Sequence, residues 1–231
     1  MKNTARISYG LIITIVIFVL STLTGSKIDL NMDFIPSSFL THSLMLLFSI
    51  LVIYSFKKFV DYKFSLPKFK KIFKPILFGI LATIIVNISM TILTKAFGGD
   101  VGSHPLLTKM TPLQTFVFIF LYASIAEELL FRGFLLNILK PLQVKGINIL
   151  SRKISVSVII SAVAFGLGHL ILITTGVGEL FLLRIVIFTT ILGIIAGYYQ
   201  EKYENNAFAI IVHMAGNLMG VIGSIFMNLN T

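Results

Sequence analysis

Hydrophobic and polar positions in this 231-residue chain alternate on one long scale, as apolar blocks separated by short polar stretches. Residues 7–26, 34–56, 75–94, 154–178 and 205–231 contain no Lys, Arg, Asp or Glu. A helix rises about 1.5 Å per residue, so about 20 apolar residues cross a hydrocarbon core about 30 Å thick. The pattern predicts seven hydrophobic helices, at 7–24, 36–56, 75–96, 112–138, 154–175, 179–200 and 206–228, with six to eight allowed. Pro36, Pro75 and Pro112 fall near helix starts, where a missing N–H is harmless, and Gly98-Gly99, Pro141 and Gly176 mark exits. The predicted fold class is all-α: a polytopic transmembrane helical bundle forming a single membrane domain over 1–231, with no repeat or soluble linker. A cleaved signal peptide over residues 1–25 is the competing reading of the first block, against which stand its long apolar core and the lack of an A-x-A-type site.

Charge sets the orientation. Alternate connections place Lys2, Arg6, Lys57, Lys58, Lys63, Lys68, Lys70, Lys71, Lys74, Lys140, Lys145, Arg152, Lys153 and Lys202 on one side, fourteen in all, against Lys27, Lys95 and Lys109 on the other. Basic residues mark the cytoplasmic side, so the N-terminus is expected inside and the C-terminus outside. The stretch Lys57–Lys74 carries seven Lys against one Asp, interleaved with aromatics. It reads as a positive-inside loop, or as a segment lying on the anionic inner leaflet.

Composition narrows the chemistry. Only 12% of residues are charged, 56% are hydrophobic and the mean hydropathy is +0.97, too few polar side chains to cover a water-soluble globule. With no cysteine, disulfides, thiolate nucleophiles and Cys-ligated metals are excluded. The net charge of +10 would suggest nucleic acid in a soluble chain. Here it is a matter of topology, and the expected partner is the lipid bilayer, with no nucleic acid.

Ionisable groups inside a bilayer cost about 2.5–3.5 kcal/mol each on insertion scales, so those that persist are functional candidates. They are Glu127, Glu128 and Arg132 in the fourth segment, His169 in the fifth, Arg184 in the sixth and His213 in the seventh. On a helix Glu128 and Arg132 are i,i+4 neighbours in the favourable order for an ion pair. Glu127 is rotated by about 100° and looks out on another face. Glu128 is thus expected to be neutralised and structural, while Glu127 stays available as a general base beside an imidazole. Phe165 and His169 share one face of the fifth helix, and His213 and Asn217 one face of the seventh. A Glu, two His and an Asn from three helices could line one polar pocket holding a base, a water-positioning imidazole and oxyanion donors. The plainer alternative is a set of structural interhelical pairs and packing histidines. Snorkelling explains Arg184 near the outer interface, His42 and His104 carry no assignment, and the Gly193/Gly197 and Gly216/Gly220 spacings suit helix packing.

At these residues the chain resembles the CPBP intramembrane proteases, also called the Abi or CaaX-protease-like family, which includes the endopeptidase that trims prenylated CaaX proteins. The family's three motifs occur in order as Glu127-Glu128-x-x-x-Arg132, Phe165-x-x-x-His169 and His213-x-x-x-Asn217, within a family-like catalytic core of about 110–220. The resemblance implies that Glu127 and His169 activate the hydrolytic water. It implies further that His213 and Asn217 stabilise the oxyanion, with Glu128, Arg132 and Phe165 in support and no cofactor. The substrate would be a membrane-associated or lipidated peptide or protein, and the location a bacterial or archaeal plasma membrane. Two alternatives stay open. One is a zinc enzyme with Glu127, His169 and His213 as ligands, although no His-Glu-x-x-His helix exists. The other is a non-catalytic bacteriocin-immunity or scaffold protein. Counted from the cytoplasmic helix ends, Glu127 and His169 lie roughly 17–23 Å deep and His213 only about 10 Å. Either the seventh helix starts deeper, with Tyr203–Ala207 dipping into the membrane, or the helices tilt. A water-filled cavity open to the cytoplasm would accommodate such a dip.

Overall fold

The structure, a computed structural model, describes residues 2–28, 30–99, 110–149 and 151–229. Among these, seven helices are long and apolar enough to cross a membrane: α1 (Asn3–Lys27), α2 (Ser38–Ser55), α3 (Phe69–Ala96), α4 (Pro112–Leu136), α5 (Val156–Gly168, prolonged by a 3-10 stretch His169–Thr175), α6 (Glu179–Tyr203) and α7 (Asn206–Leu229). His104 and Lys109 lie outside the described residues. Large apolar side chains such as Ile12, Leu20, Leu51, Ile85 and Ile92 point outward, an arrangement that is stable only in a non-aqueous surround.

Two boundaries and the character of one helix differ from the sequence reading. Helix α3 begins at Phe69 rather than 75, so Pro75 sits inside it. The Lys-rich run Lys70–Lys74 thereby becomes a helical extension. Residues 154–155 are not helical but end a short hairpin, β1 (Gly146–Ile149) against β2 (Arg152–Ser155), in antiparallel register with Gly146 opposite Ser155. Ser155 then caps α5, its Oγ accepting from the Val158 N–H at 3.1 Å. Helix α4 is not uniformly α-helical: one α-helical turn, Ser124–Glu128, separates π-helical stretches at Thr115–Ala123 and Leu129–Leu136. At its start Thr111 and Gln114 form a reciprocal capping box with Pro112 in the first turn.

The helices pack with α1 on α2, α5 on α6, and α3 on both α6 and α7. Small residues set the closest approaches. At Gly79 a Cβ would meet the Val212 carbonyl at 2.6 Å, and nearby Thr83 Oγ1 donates to the Gly216 carbonyl at 3.0 Å. Leu130, Phe131, Phe134 and Leu135 from the second half of α4, with Ile138 and Leu139 just past its end, fill the centre of the largest apolar cluster.

The depth mismatch resolves in favour of a late start for α7. Glu204 takes a left-handed conformation (φ 48°) that ends α6. The next residues are held by an extended segment of the Lys57–Lys74 loop: the Asn206 N–H donates to the Lys63 carbonyl at 2.9 Å, and Asn205 exchanges hydrogen bonds with Ser65. Asn206 Nδ2 in turn reaches the Glu128 carbonyl at 3.3 Å. The first residue of α7 therefore sits level with Glu128, eight residues inside the Leu136 end of α4.

Candidate active site

Glu127 and Glu128 both lie on the α-helical turn Ser124–Glu128 of α4, and the two carboxylates face different surroundings. Glu128 and Arg132 are completely buried and paired at 2.9 Å. Glu128 does more than neutralise Arg132, because its Oε1 also contacts His213 Nδ1 at 2.8 Å. A carboxylate only accepts, so Nδ1 carries the proton and donates it, which turns the His213 ring so that Nε2 faces Glu127 Oε2 at 3.7 Å. Glu127, on the other face, lines a cavity of about 600 Å³. The rotational separation of the two acids is as expected, and the structure adds a reason for their adjacency: Glu128 orients the imidazole that Glu127 meets.

His169 sits where α5 passes into its 3-10 extension. Its Nδ1 donates to the Phe165 carbonyl at 2.9 Å, so in the neutral ring Nε2 keeps its lone pair as an acceptor. Phe165 is the aromatic hub of the site. Its ring lies 5.0 Å from the His169 ring, 5.5 Å from that of His213, 4.9 Å from that of Phe131 and 4.6 Å from the Arg132 guanidinium carbon. That guanidinium is also why Gly193 has no side chain, since a Cβ there would overlap Arg132 Nη2.

Asn217 joins the same cavity, and its Nδ2 donates to Ser124 Oγ at 3.1 Å and to the Ile119 carbonyl at 3.3 Å. Other polar side chains serve the irregular helix. In a π-helix carbonyls leave the usual i,i+4 ladder and need other donors. Ser161 donates to the Phe131 carbonyl at 2.8 Å, and Gln200 and Asn137 to that of Arg132 at 2.7 and 3.0 Å. Sequence reasoning missed these residues, because a lone Ser, Gln or Asn in an apolar helix names no target.

Two further residues were misplaced by the sequence. His42, given no assignment, lines the cavity and brings Nε2 to 3.4 Å from Glu127 Oε1. The signal was there: it is an ionisable side chain within the uncharged run 34–56. Arg184, read as a snorkelling side chain, lines the cavity with its guanidinium carbon 4.8 Å from the centre of the Phe181 ring. The cavity also lies on the unexpected side. Its walls come from Phe18 and Thr22, Thr41, the 3-10 stretch after His169, Arg184 and the far half of α7, all toward the end of the bundle away from the Lys-rich loops. Toward those loops the site is closed by the buried Glu128–Arg132 pair and the start of α7. Among the described residues no group of three His, Cys, Asp or Glu side chains is arranged to hold a metal ion.

With this geometry in view, the comparisons with known proteins become specific. A protein-family model described as Type II CAAX prenyl endopeptidase Rce1-like matches residues 109–219. The match supports the CPBP/CAAX protease family, over 111 of the chain's 231 residues. Proteins of that family are proteases acting on peptide bonds, and the seven apolar helices make this chain a multi-pass membrane protein. The matched region contains α4 to most of α7 and all three motifs. No curated protein and no solved structure matches the chain.

Proposed function

We propose that the protein is an intramembrane endopeptidase that hydrolyses a peptide bond in a membrane-associated or lipidated substrate through water activated by Glu127 and His169. The observation that carries this reading is the convergence of Glu127, His169, His213 and Asn217 on one cavity within an apolar bundle. A volume of about 600 Å³ falls in the range of small-ligand pockets. It admits a few extended residues or part of a lipid chain, and the family's printed description makes a prenylated CAAX-type peptide the first substrate to test.

In the proposed step a water between Glu127 and His169 gives up a proton as its oxygen attacks the scissile carbonyl carbon. The tetrahedral oxyanion is received by His213 Nε2–H and by the Asn217 Nδ2–H that gives up its 3.3 Å contact with the Ile119 carbonyl. The proton then passes to the departing amine nitrogen as the C–N bond breaks. When His213 carries both ring protons, the row Arg132, Glu128, His213 and Glu127 sums to zero charge, the balance that a buried network favours.

Glu127→Gln and Glu127→Ala should abolish cleavage of a farnesylated peptide in proteoliposomes while leaving expression intact, and retained cleavage would refute the assignment. The zinc reading, with Glu127, His169 and His213 as ligands, is separated from it by two measurements: bound metal in the purified protein, and loss of activity to a chelator. An immunity or scaffold role is separated by a cell assay in which Glu127→Ala keeps full biological effect. We further read the N-terminus as cytoplasmic, from the fourteen basic residues on its side. The cavity then faces the outer half of the membrane.

A further inference from the structure

Helix α2 lies outside the residues matched by the family, yet it puts an imidazole against the candidate base. His42 Nε2 is 3.4 Å from Glu127 Oε1, and His213 Nε2 is 3.7 Å from Oε2. The two oxygens of one carboxylate are thus met by rings from two different helices. His42 is 8% exposed, and its Nδ1 is buried with no hydrogen-bond partner. An N–H without an acceptor costs more in such a place than a bare lone pair. The neutral ring therefore carries its proton on Nε2, the atom turned toward Glu127.

The residues around His42 anchor α2 to its neighbours. Phe39, one turn before it, stacks on Tyr122 of α4 at 5.3 Å. Ser43, the next residue, shares a hydrogen bond with the Tyr122 hydroxyl at 2.9 Å. Thr41 packs so closely against Gly25 of α1 that a Cβ on that glycine would overlap it. These contacts fix the register of α2 on α4 at the level of Glu127, a more exact placement than filling space would require.

We propose that His42 is a positioning residue for Glu127, an inference that rests on the hydrolytic reading above. Its Nε2–H holds Oε1, which leaves Oε2 directed at the cavity to take the proton of the attacking water. The test uses the full chain in nanodiscs with an internally quenched farnesylated peptide, comparing wild type, His42→Leu, His42→Gln and Glu127→Gln. His42→Leu should lower kcat about 10- to 100-fold, the range of a charge-assisted hydrogen bond, with KM changed less than about twofold. His42→Gln, whose amide nitrogen falls near the position of Nε2, should keep kcat within about threefold of wild type. Thermal midpoints identify variants that fail to fold. A second readout needs no substrate: in 15N-histidine-labelled protein His42 should show the Nε2–H tautomer, with that proton resonance moving upfield in Glu127→Gln. The proposal is overturned if folded His42→Leu keeps wild-type kcat, if folded His42→Gln loses as much as His42→Leu, or if the His42 proton signal ignores Glu127→Gln. Full activity of Glu127→Gln would instead overturn the hydrolytic reading itself.

Discussion

Replacing Arg132 by Met removes one partner of a pair that is wholly out of solvent. Arg132 and Glu128 are 0% exposed and 2.9 Å apart, so the variant leaves a buried carboxylate whose remaining side-chain partner is His213 at 2.8 Å. Breaking a buried ion pair from one side costs about 3–5 kcal/mol, because the orphaned charge is neither solvated nor matched. Whole-domain stability is typically only about 5–15 kcal/mol, so this change should consume a large fraction of it. Glu128→Gln/Arg132→Met removes both charges and should recover part of the loss, with a coupling of about 1–3 kcal/mol in a double-mutant cycle. Glu127→Gln, at a cavity wall where the side chain is 13% exposed, should stay within about 1 kcal/mol of wild type. The assay is reversible unfolding in mixed detergent micelles followed by circular dichroism. Arg132→Met within about 0.5 kcal/mol of Glu127→Gln, or a cycle additive to that tolerance, would refute the claim that this pair is a coupled structural element beneath the base.

Gly193→Ala should push Arg132 off the Phe165 ring and destabilise the protein by about 1–3 kcal/mol, read as a lowered thermal midpoint. Gln200→Leu removes a 2.7 Å bond to the Arg132 carbonyl and the acceptor for Asn206 Nδ2 at 2.7 Å. A cost of about 1–3 kcal/mol and faster amide exchange at the start of α7 are expected. Arg184→Gln should selectively slow cleavage of peptides with a free C-terminal carboxylate relative to their amides, by about tenfold, because Arg184 is the only Lys or Arg lining the cavity among its described residues; an unchanged ratio would remove it from substrate recognition. On the Lys-rich surface, Lys140 and then Lys63 hold the Asp61 carboxyl below its ordinary 3.8. A depressed value stabilises the fold above about pH 4 and loses that contribution as pH falls through the folded value. The group is half exposed, so Asp61→Asn should cost well under about 1 kcal/mol at pH 7 and nothing measurable at acid pH or high salt.

Much of the frame was legible in the chain because a bilayer imposes a length and a polarity on every crossing. The seven apolar blocks, the proline and glycine breaks and the separation of Glu127 from Glu128 all follow from helical rise and rotation. Helix α3 was misread at its start because Pro75 looked like a first-turn residue, whereas six residues, three lysines, two phenylalanines and Ile72, precede it in the same helix. The π-helical stretches of α4 escaped because nothing local demands them: they depend on Ser161, Gln200, Asn206 and Asn217 arriving from other helices to meet displaced carbonyls. His42 was given no assignment because a lone histidine in an apolar segment names no partner. In the structure it is five residues into α2, facing the base.

The sequence by itself determined that this protein lives in a membrane, how many times it crosses, and which few side chains could do chemistry there, since each of those is a statement about single residues and their spacing along one helix. Only the tertiary structure decided which imidazole meets which carboxylate oxygen, that α7 begins level with Glu128, and that the cavity lies away from the lysine-rich loops. Those are relations between helices distant in the chain, fixed by small-residue contacts and by the need of every buried polar group for a partner, and no periodicity within one segment encodes them.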